Sequence, residues 1–431
     1  MSKKREDLKQ INMNAAGIDV GSEMHYVAVP EDRAEQSIRK FSCYTADLHE
    51  MAEWLKECGI TTVAMESTGV YWIPVFDVLE SKGFEVILVN AHHIKNVPGR
   101  KTDVSDSRWI QQLHTYGLLH GSYQPENIIR KMRTYMRQKN TLIKLRSTHT
   151  QRMQKSLIQM NIQLHKVLSD MTGQTGMMII RSILQGERDP LKLAQMKNSR
   201  VKSSEEIIAK SLEGNYQEEH LFCLKQELDQ YDYVCGKIEE CEKMIYSVLN
   251  KMHGGNDSDT DKDNSNKNRR LKLEAICDVD LTLIDGLDVN SVEAILSEVG
   301  IDMSKWPTEK HFGSWLGLCP NNKISGGKIL SKKTRKVVSR ASVSFRLAAF
   351  SVANSKSAMG AYYRRLRSRI GAPKAITATA NKIARVFYKC MKLKISYTDL
   401  GADYYEAKYK ERVLKNMKKR ALDFGFELIP V

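Results

Sequence analysis

The chain has 431 residues, 42% hydrophobic and 27% charged, with a formal net charge of +16 and an isoelectric point near 9.3. That length supports two or three domains with real cores, and no apolar run is long enough to span a membrane. The eight cysteines form no Cys-x-x-Cys pair, which argues against a zinc site, and with no signal-peptide pattern the chain reads as soluble and intracellular.

The positive balance favours a polyanionic partner. It is also unevenly spread. From Asn127 to Ser169 there is no Asp or Glu. From Lys310 to Thr398 carboxylates are again absent, against about 20 Lys and Arg. A solvated surface normally mixes both signs, so long one-sign stretches point to contact with phosphate backbone.

Up to about residue 125 the pattern is α/β. Ala16–Val20 and His25–Val29 read as strands around the turn at Gly21-Ser22, and Ser37–Tyr44 as a third. Thr45 is expected to cap a helix carrying Leu48, Met51, Trp54 and Leu55. A buried strand at Thr62–Met65, a helix over Val70–Ser81, a strand at Glu85–Asn90 and a helix from about Asp103 through Leu118 follow. Strands first, then alternating helices and strands, is the order of an RNase-H-like fold.

Pro125 closes that unit, and a helix with a cationic face follows. Ser204–Met252 reads as helical, with Leu221, Leu224, Leu228, Tyr231, Cys235, Ile238, Cys241 and Ile245 forming a coiled-coil seam. The seam can pair within one chain or between two. Gly254–Asn268 has the composition of a flexible linker. Beyond it, Leu281–Gly300 resembles a helix-hairpin-helix, Cys319–Lys336 is polar and irregular, and helices run through Arg340–Val352 and Ile376–Met391. The expected layout is 1–125 metal-binding domain, 126–253 basic helix and coiled coil, 254–270 linker, 271–398 mainly α-helical domain and 399–431 tail.

Asp19 lies inside the apolar run Gly17–Val20, Glu66 ends Thr62–Glu66, and Asp103 and Asp106 stand one helical turn apart. A carboxylate in a strand core is costly unless something positive sits against it. Two Mg²⁺ ions (or Mn²⁺) held by such carboxylates could drive an in-line displacement at a phosphodiester. Taken singly, an Asp in a strand or an Asp-x-x-Asp is weak, since Asp103 can simply cap a helix. Gly17–Ser22 also resembles the phosphate turn of sugar kinases, but the second turn and adenosine pocket they need are missing.

The carboxylate-free half would need a hydroxyl nucleophile among cations. Ser325, in Lys323-Ile324-Ser325-Gly326-Gly327-Lys328, is the leading candidate, although Ser-Gly-Gly alone is more often a loop. Ser331, Ser339 and Ser342 are rivals, and Tyr362, Tyr363 and Tyr388 would serve a tyrosine mechanism. His92 and His93 lack ligand partners and read as surface or substrate-facing. Trp306 and Trp315 read as packing residues. The candidate nucleic-acid contacts are Arg130, Lys131, Arg133, Arg137, Lys144 and Arg146, then Lys323, Lys328, Lys332, Lys333, Arg335, Arg364, Arg365 and Arg367.

Three motifs carry a family resemblance: Gly17-Ile18-Asp19, Met65-Glu66-Ser67-Thr68-Gly69-Val70-Tyr71, and Lys101-Thr102-Asp103-Val104-Ser105-Asp106-Ser107-Arg108. With Gly317-Leu318-Cys319-Pro320 and Ser325-Gly326, they make the chain similar to transposases of the IS110 family over about residues 14–125 and 275–395. The resemblance implies a RuvC-like domain whose D-E-D-D metal site falls on Asp19, Glu66, Asp103 and Asp106. It also implies a catalytic serine at Ser325 that forms a covalent phosphoserine link to double-stranded DNA.

By the same resemblance, a structured noncoding RNA would choose target and donor DNA. The acidic site of one subunit would meet the serine of another in a dimer or tetramer, with the Leu221–Ile245 seam as a plausible contact. The setting would be the prokaryotic cytoplasm, at the nucleoid. Two departures stand out. Ile284-Asp285-Gly286-Leu287-Asp288 replaces the family's Ile-Pro-Gly-Ile-Gly hairpin, losing its second glycine and adding Asp288. Lys332–Val337 replaces a Lys-x-Gly stretch. Two rival readings are a RuvC-like structure-specific nuclease and a non-catalytic nucleic-acid-binding protein.

Overall fold

The computed structural model describes residues 9–90, 105–254, 265–335, 337 and 339–429. The chain divides into two units, Met1–Gln124 and Pro125–Val431.

In the first unit β1 (Ala15–Val20), β2 (Met24–Ala28) and β3 (Ile38–Ser42) form an antiparallel meander. Helix α1 (Thr45–Glu57) then leads to β4 (Thr62–Glu66), and α2 (Trp72–Ser81) to β5 (Glu85–Val89). β4 lies parallel to β1 and β5 parallel to β4, so the sheet order is β3-β2-β1-β4-β5. This mixed sheet with helices is the expected RNase-H/RuvC-like arrangement. Thr45 is the first helical residue rather than the cap, because Tyr44 holds the capping position without a side-chain bond.

Strand alternation sorts the side chains onto two faces. Ala16, Ile18, Val20, Val63, Met65 and Leu88 join Leu48, Met51, Leu55, Val75 and Leu79 of α1 and α2 in one core. The opposite face carries Ala64 and Val89, which pack against Ile110 and Leu113 of α3 (Ser105–Thr115). Gly17 lets α3 approach. A Cβ there would lie 2.2 Å from the Gln111 nitrogen and 2.4 Å from the Ser107 carbonyl oxygen.

The second unit is built on two long antiparallel helices, α4 (Asn127–Gln159) and, after four short helices, α9 (Glu218–Met252). The short ones are α5 (Leu164–Val167), α6 (Gln174–Leu184), α7 (Pro190–Ala194) and α8 (Glu205–Leu212). They share a core with the carboxy end of α4 and the start of α9, including Leu157, Ile180, Ile208, Leu224 and Leu228. The expected single helix over Ser204–Met252 is broken between Leu212 and Glu218. There Gly214 sits so close to Met160 that a Cβ would be 2.4 Å from its carbonyl oxygen.

The α9 seam is covered within the chain. Val234 and Ile238 pack with Leu142 of α4, beside Ile143 and Cys241. Lys139 pairs with Glu242 at 2.7 Å, and His149 with Glu227 at 2.6 Å. The seam thus pairs within the chain, one of the two alternatives its spacing left open: its middle packs on α4, and Leu224 and Leu228 join the core of the short helices.

Helix α10 (Asn266–Cys277) begins inside the segment expected to be linker, with the Ser265 side chain as its cap. Its Arg269 is buried and forked onto the buried carboxylate of Glu293. Residues 255–264 lie outside the described residues. After α11 (Val289–Val299) and α12 (Glu309–Trp315), strands β6 (Lys323–Ser325) and β7 (Lys328–Ser331) form a hairpin. Helices α13 (Arg340–Ser351), α14 (Ala358–Ile370), α15 (Ala372–Leu393) and α16 (Gly401–Asp423) complete the unit. Its centre is aromatic: Phe312 packs with Trp306, Trp315, Phe345, Phe387 and Tyr388. Both tryptophans thus serve packing. Among the described residues no helix is long and apolar enough to cross a membrane.

Candidate functional site

Asp19 lies two residues after Gly17 on β1 and so shares the face on which α3 packs. Glu66 ends β4. The parallel register pairs Gly17 with Ala64 and Ile18 with Met65, so Asp19 and Glu66 follow as neighbours at the carboxyl ends of adjacent strands. Ala64, two residues before Glu66, packs on α3, so the two carboxylates share that face. Ligands of open α/β sheets gather beyond these strand ends. Both carboxylates are half-buried, as is Asp106 in the first turn of α3.

Asp103 lies outside the described residues, as do His92 and His93. Among the described residues no three His, Cys, Asp or Glu side chains stand close enough to hold an ion. The chemistry of the donor set nonetheless suits a hard cation, because it is all oxygen.

Two side-chain bonds went unread in the sequence, one at Glu66 and one that ties the far end of α3 to the sheet. The Thr68 hydroxyl donates to Glu66 Oε1 at 3.1 Å. On α3, His114 Nε2 and Thr62 Oγ1 lie 2.9 Å apart, tying the helix to β4. Burial holds the His114 imidazole down at about 4, so it is neutral near pH 7. A threonine two residues after the strand-end glutamate is a signal the motif already carried. The His114–Thr62 pair spans 52 positions and carries no local signal.

Ser325 occupies the end of β6, at the tip of a hairpin rather than in an irregular loop. Gly326 and Gly327 turn the chain with φ of 53° and 74°, which suits a two-residue hairpin. Lys328 stands directly across from Ser325, and both are exposed. The foot of the ribbon is fixed. Asn321 N donates to the Lys333 carbonyl at 2.9 Å, and Arg335 Nη2 donates to the Ser314 carbonyl at 2.6 Å.

The rival nucleophiles are otherwise engaged. Ser339 caps α13, Ser342 is fully buried, and Ser331 Oγ accepts from Lys333 N at 3.3 Å. Tyr363 is buried, Tyr362 is half-buried against Tyr405, and buried Tyr388 donates to the Trp306 carbonyl at 2.6 Å.

The predicted cationic contacts divide. Arg133 donates to the carbonyls of Ser297 and Glu298 at 3.0 Å each, and Arg137 forks onto the Glu298 carboxylate at 3.0 and 2.9 Å. Arg130 reaches the Pro125 carbonyl at 3.3 Å. Arg364 donates to the Ala353 and Ser355 carbonyls, and Arg365 stacks 3.3 Å from the Tyr409 ring centroid. These side chains, with Arg335, hold the fold. Lys131, Lys144, Lys323, Lys328, Lys332, Lys333 and Arg367 are exposed, and Arg146 is half-buried.

At the hairpin where the sequence departs from the family pattern, Asp288 accepts from Ser291 N at 2.8 Å, and Ser291 Oγ accepts from Asp288 N at 2.7 Å. This capping box places a carboxylate at the helix end where the family pattern has glycine.

No curated protein matches the chain. Two family profiles do: a DEDD transposase profile of IS110 type over residues 16–162, and the transposase IS116/IS110/IS902 family over residues 280–364. The first covers β1–β5, α3 and α4, and with them Asp19, Glu66, Asp103 and Asp106; the second covers the Asp288 cap and the Ser325 hairpin. The chain belongs to the IS110 family of transposases and is a DNA recombinase.

Proposed function

We propose that this transposase cuts and rejoins double-stranded DNA through a covalent phosphoserine at Ser325. Asp19, Glu66, Asp103 and Asp106 would hold the divalent ions, Mg²⁺ or Mn²⁺, that the reaction requires. Bound there, such ions activate an attacking oxygen and steady a leaving one. The observation that carries the reading is the placing of Asp19 and Glu66 side by side at the strand ends on the face of α3. Ser325 supports it as a sterically open hydroxyl whose neighbours are cationic.

In the step itself the Ser325 Oγ–P bond forms and one P–O ester bond to deoxyribose breaks. The serine proton is balanced by the one gained on the departing sugar hydroxyl. Lys323, Lys328, Lys332 and Lys333 would offset phosphate charge around the ribbon. We further propose that a structured noncoding RNA selects target and donor DNA, and that the active assembly is a dimer or tetramer.

Ser325→Ala and Asp19→Asn test this in a strand-cleavage and strand-exchange assay with DNA binding measured alongside. Both should lose all recombination and keep binding. Continued nicking by Ser325→Ala that still needs Asp19 would replace the reading with a metal-dependent nuclease. Full activity of Asp19→Asn would remove the metal site. RNA transcribed from the element's noncoding end should co-purify with the full chain and be required for target choice; recombination at chosen sites without it would overturn the guide.

A further inference from the structure

Several cations of the long basic helix are paired within the protein, whereas a cleft in the small helical subdomain holds three that are in no ion pair among the described residues. It has a volume of about 720 Å³ and lies where α5, the start of α6 and the loop after α7 converge. Lys166, Arg200 and Lys202 line it and are exposed, with half-buried His165 beside them. Among the described residues none of these three cations stands in an ion pair.

Other cations of the same unit are paired. Arg181, on α6, pairs with Asp232 at 2.7 Å, Arg152 with Glu227 at 3.3 Å, and Lys139 with Glu242 at 2.7 Å. The one carboxylate in the cleft, Asp170, is exposed but bonded to its own turn. Its Oδ1 accepts from both Thr172 N and Thr172 Oγ1 at 2.9 Å. Three cations against one carboxylate leave the concave wall net positive, which raises the local potential for a polyanion above that of a convex surface.

The floor of the cleft is also fixed. Gly176 is packed so that a Cβ would lie 2.0 Å from the Met171 carbonyl oxygen, and Asn198 N donates to the Thr175 hydroxyl at 3.0 Å. The loop bearing Arg200 and Lys202 is thereby tied to α6. Lys197 Nζ donates to the Ser203 carbonyl at 2.9 Å across the same loop. The cations therefore project from a braced wall.

We propose that this cleft is a DNA-backbone site, in which Lys166, Arg200 and Lys202 contact phosphates of the duplex the transposase acts on. It adds a grip remote in sequence from both the carboxylates and Ser325. DNA is the occupant because family membership already establishes DNA as the substrate and the ligand chemistry is phosphodiester.

The test compares the triple variant Lys166→Ala, Arg200→Ala, Lys202→Ala with Arg181→Ala, which removes a paired cation from the same subdomain. Full-length protein is titrated with duplex DNA over a range of salt in the presence of a chelator, so neither metal nor Ser325 enters the readout. Each phosphate contact contributes about 0.9 to the slope of log K against log salt. The triple variant should lower that slope by about two to three, with Arg181→Ala unchanged and thermal unfolding of both preserved. A triple-variant slope equal to wild type, or a loss matched by Arg181→Ala, would overturn the site. A loss of RNA binding with DNA binding intact would overturn the assignment to DNA. If the triple variant unfolds, the single variant Lys202→Glu decides: an unchanged slope rejects the site.

Discussion

Gly17 and Gln111 are in backbone contact: a Cβ on the glycine would lie 2.2 Å from the Gln111 nitrogen. That approach seats α3 against β1 and sets Asp106, on the helix, on the same side of the sheet as Asp19 and Glu66. The obstructing atoms are main chain, so a larger residue can be admitted only by displacing the helix.

Gly17→Ala should therefore destabilise the first unit by about 1–3 kcal/mol, the usual cost of overpacking. Strand cleavage should fall further than stability alone explains, by about tenfold or more, because the carboxylates lose their relative placement. Thermal unfolding read beside cleavage at a temperature where the variant stays folded checks this. Cleavage at the wild-type rate would mean that α3 does not set the site.

His114 gives the first unit an acid sensitivity. Burial lowers its pKa from 6.5 to about 4, so below pH 6.5 the unfolded chain takes up a proton that the folded one refuses. Stability from this group is complete above pH 6.5 and is lost as pH falls toward 4, by about 3 kcal/mol in all. Denaturant titrations of wild type and His114→Gln at pH 7.5 and 4.5 measure it. The variant should be the less stable at pH 7.5, having lost the contact with Thr62, and should show a flatter pH dependence. Parallel curves would contradict the assignment.

Asp288→Ala should cost about 1 kcal/mol, the ordinary value of a lost helix cap. It should not weaken DNA binding, because in this chain the position holds a carboxylate that would repel phosphate. Urea denaturation and a DNA titration separate the two effects. Weaker binding at unchanged stability would mean that Asp288 serves the ligand and not the helix.

Much of the first unit was legible because its signals are local. A carboxylate inside Gly17–Val20 and another closing Thr62–Glu66 conflict with their apolar surroundings, and that conflict motivates the proposed metal site. The Ser325 ribbon was not legible: its residues are almost all exposed, so no buried alternation distinguishes it from a loop. The seam on α9 was legible in its spacing, but Leu142 of α4, which packs on Ile238, lies 96 positions before it. The Arg137 charge was likewise visible, and its Glu298 acceptor, 161 positions on, was not. Asp288 was read as the loss of a glycine, although Asp-x-x-Ser before an apolar run is itself a capping pattern.

The central claim is that one strand-transfer reaction needs both the carboxylates of the first unit and the hydroxyl at the ribbon tip. Its most direct measurement is capture of the protein–DNA adduct from full-length protein, element-end DNA and Mg²⁺, followed by mass mapping of the modified peptide. The account predicts a phosphodiester-linked nucleotide on Ser325, absent from Ser325→Ala and from Asp19→Asn although both still bind DNA. An adduct on another residue, or undiminished adduct in Asp19→Asn, would contradict it.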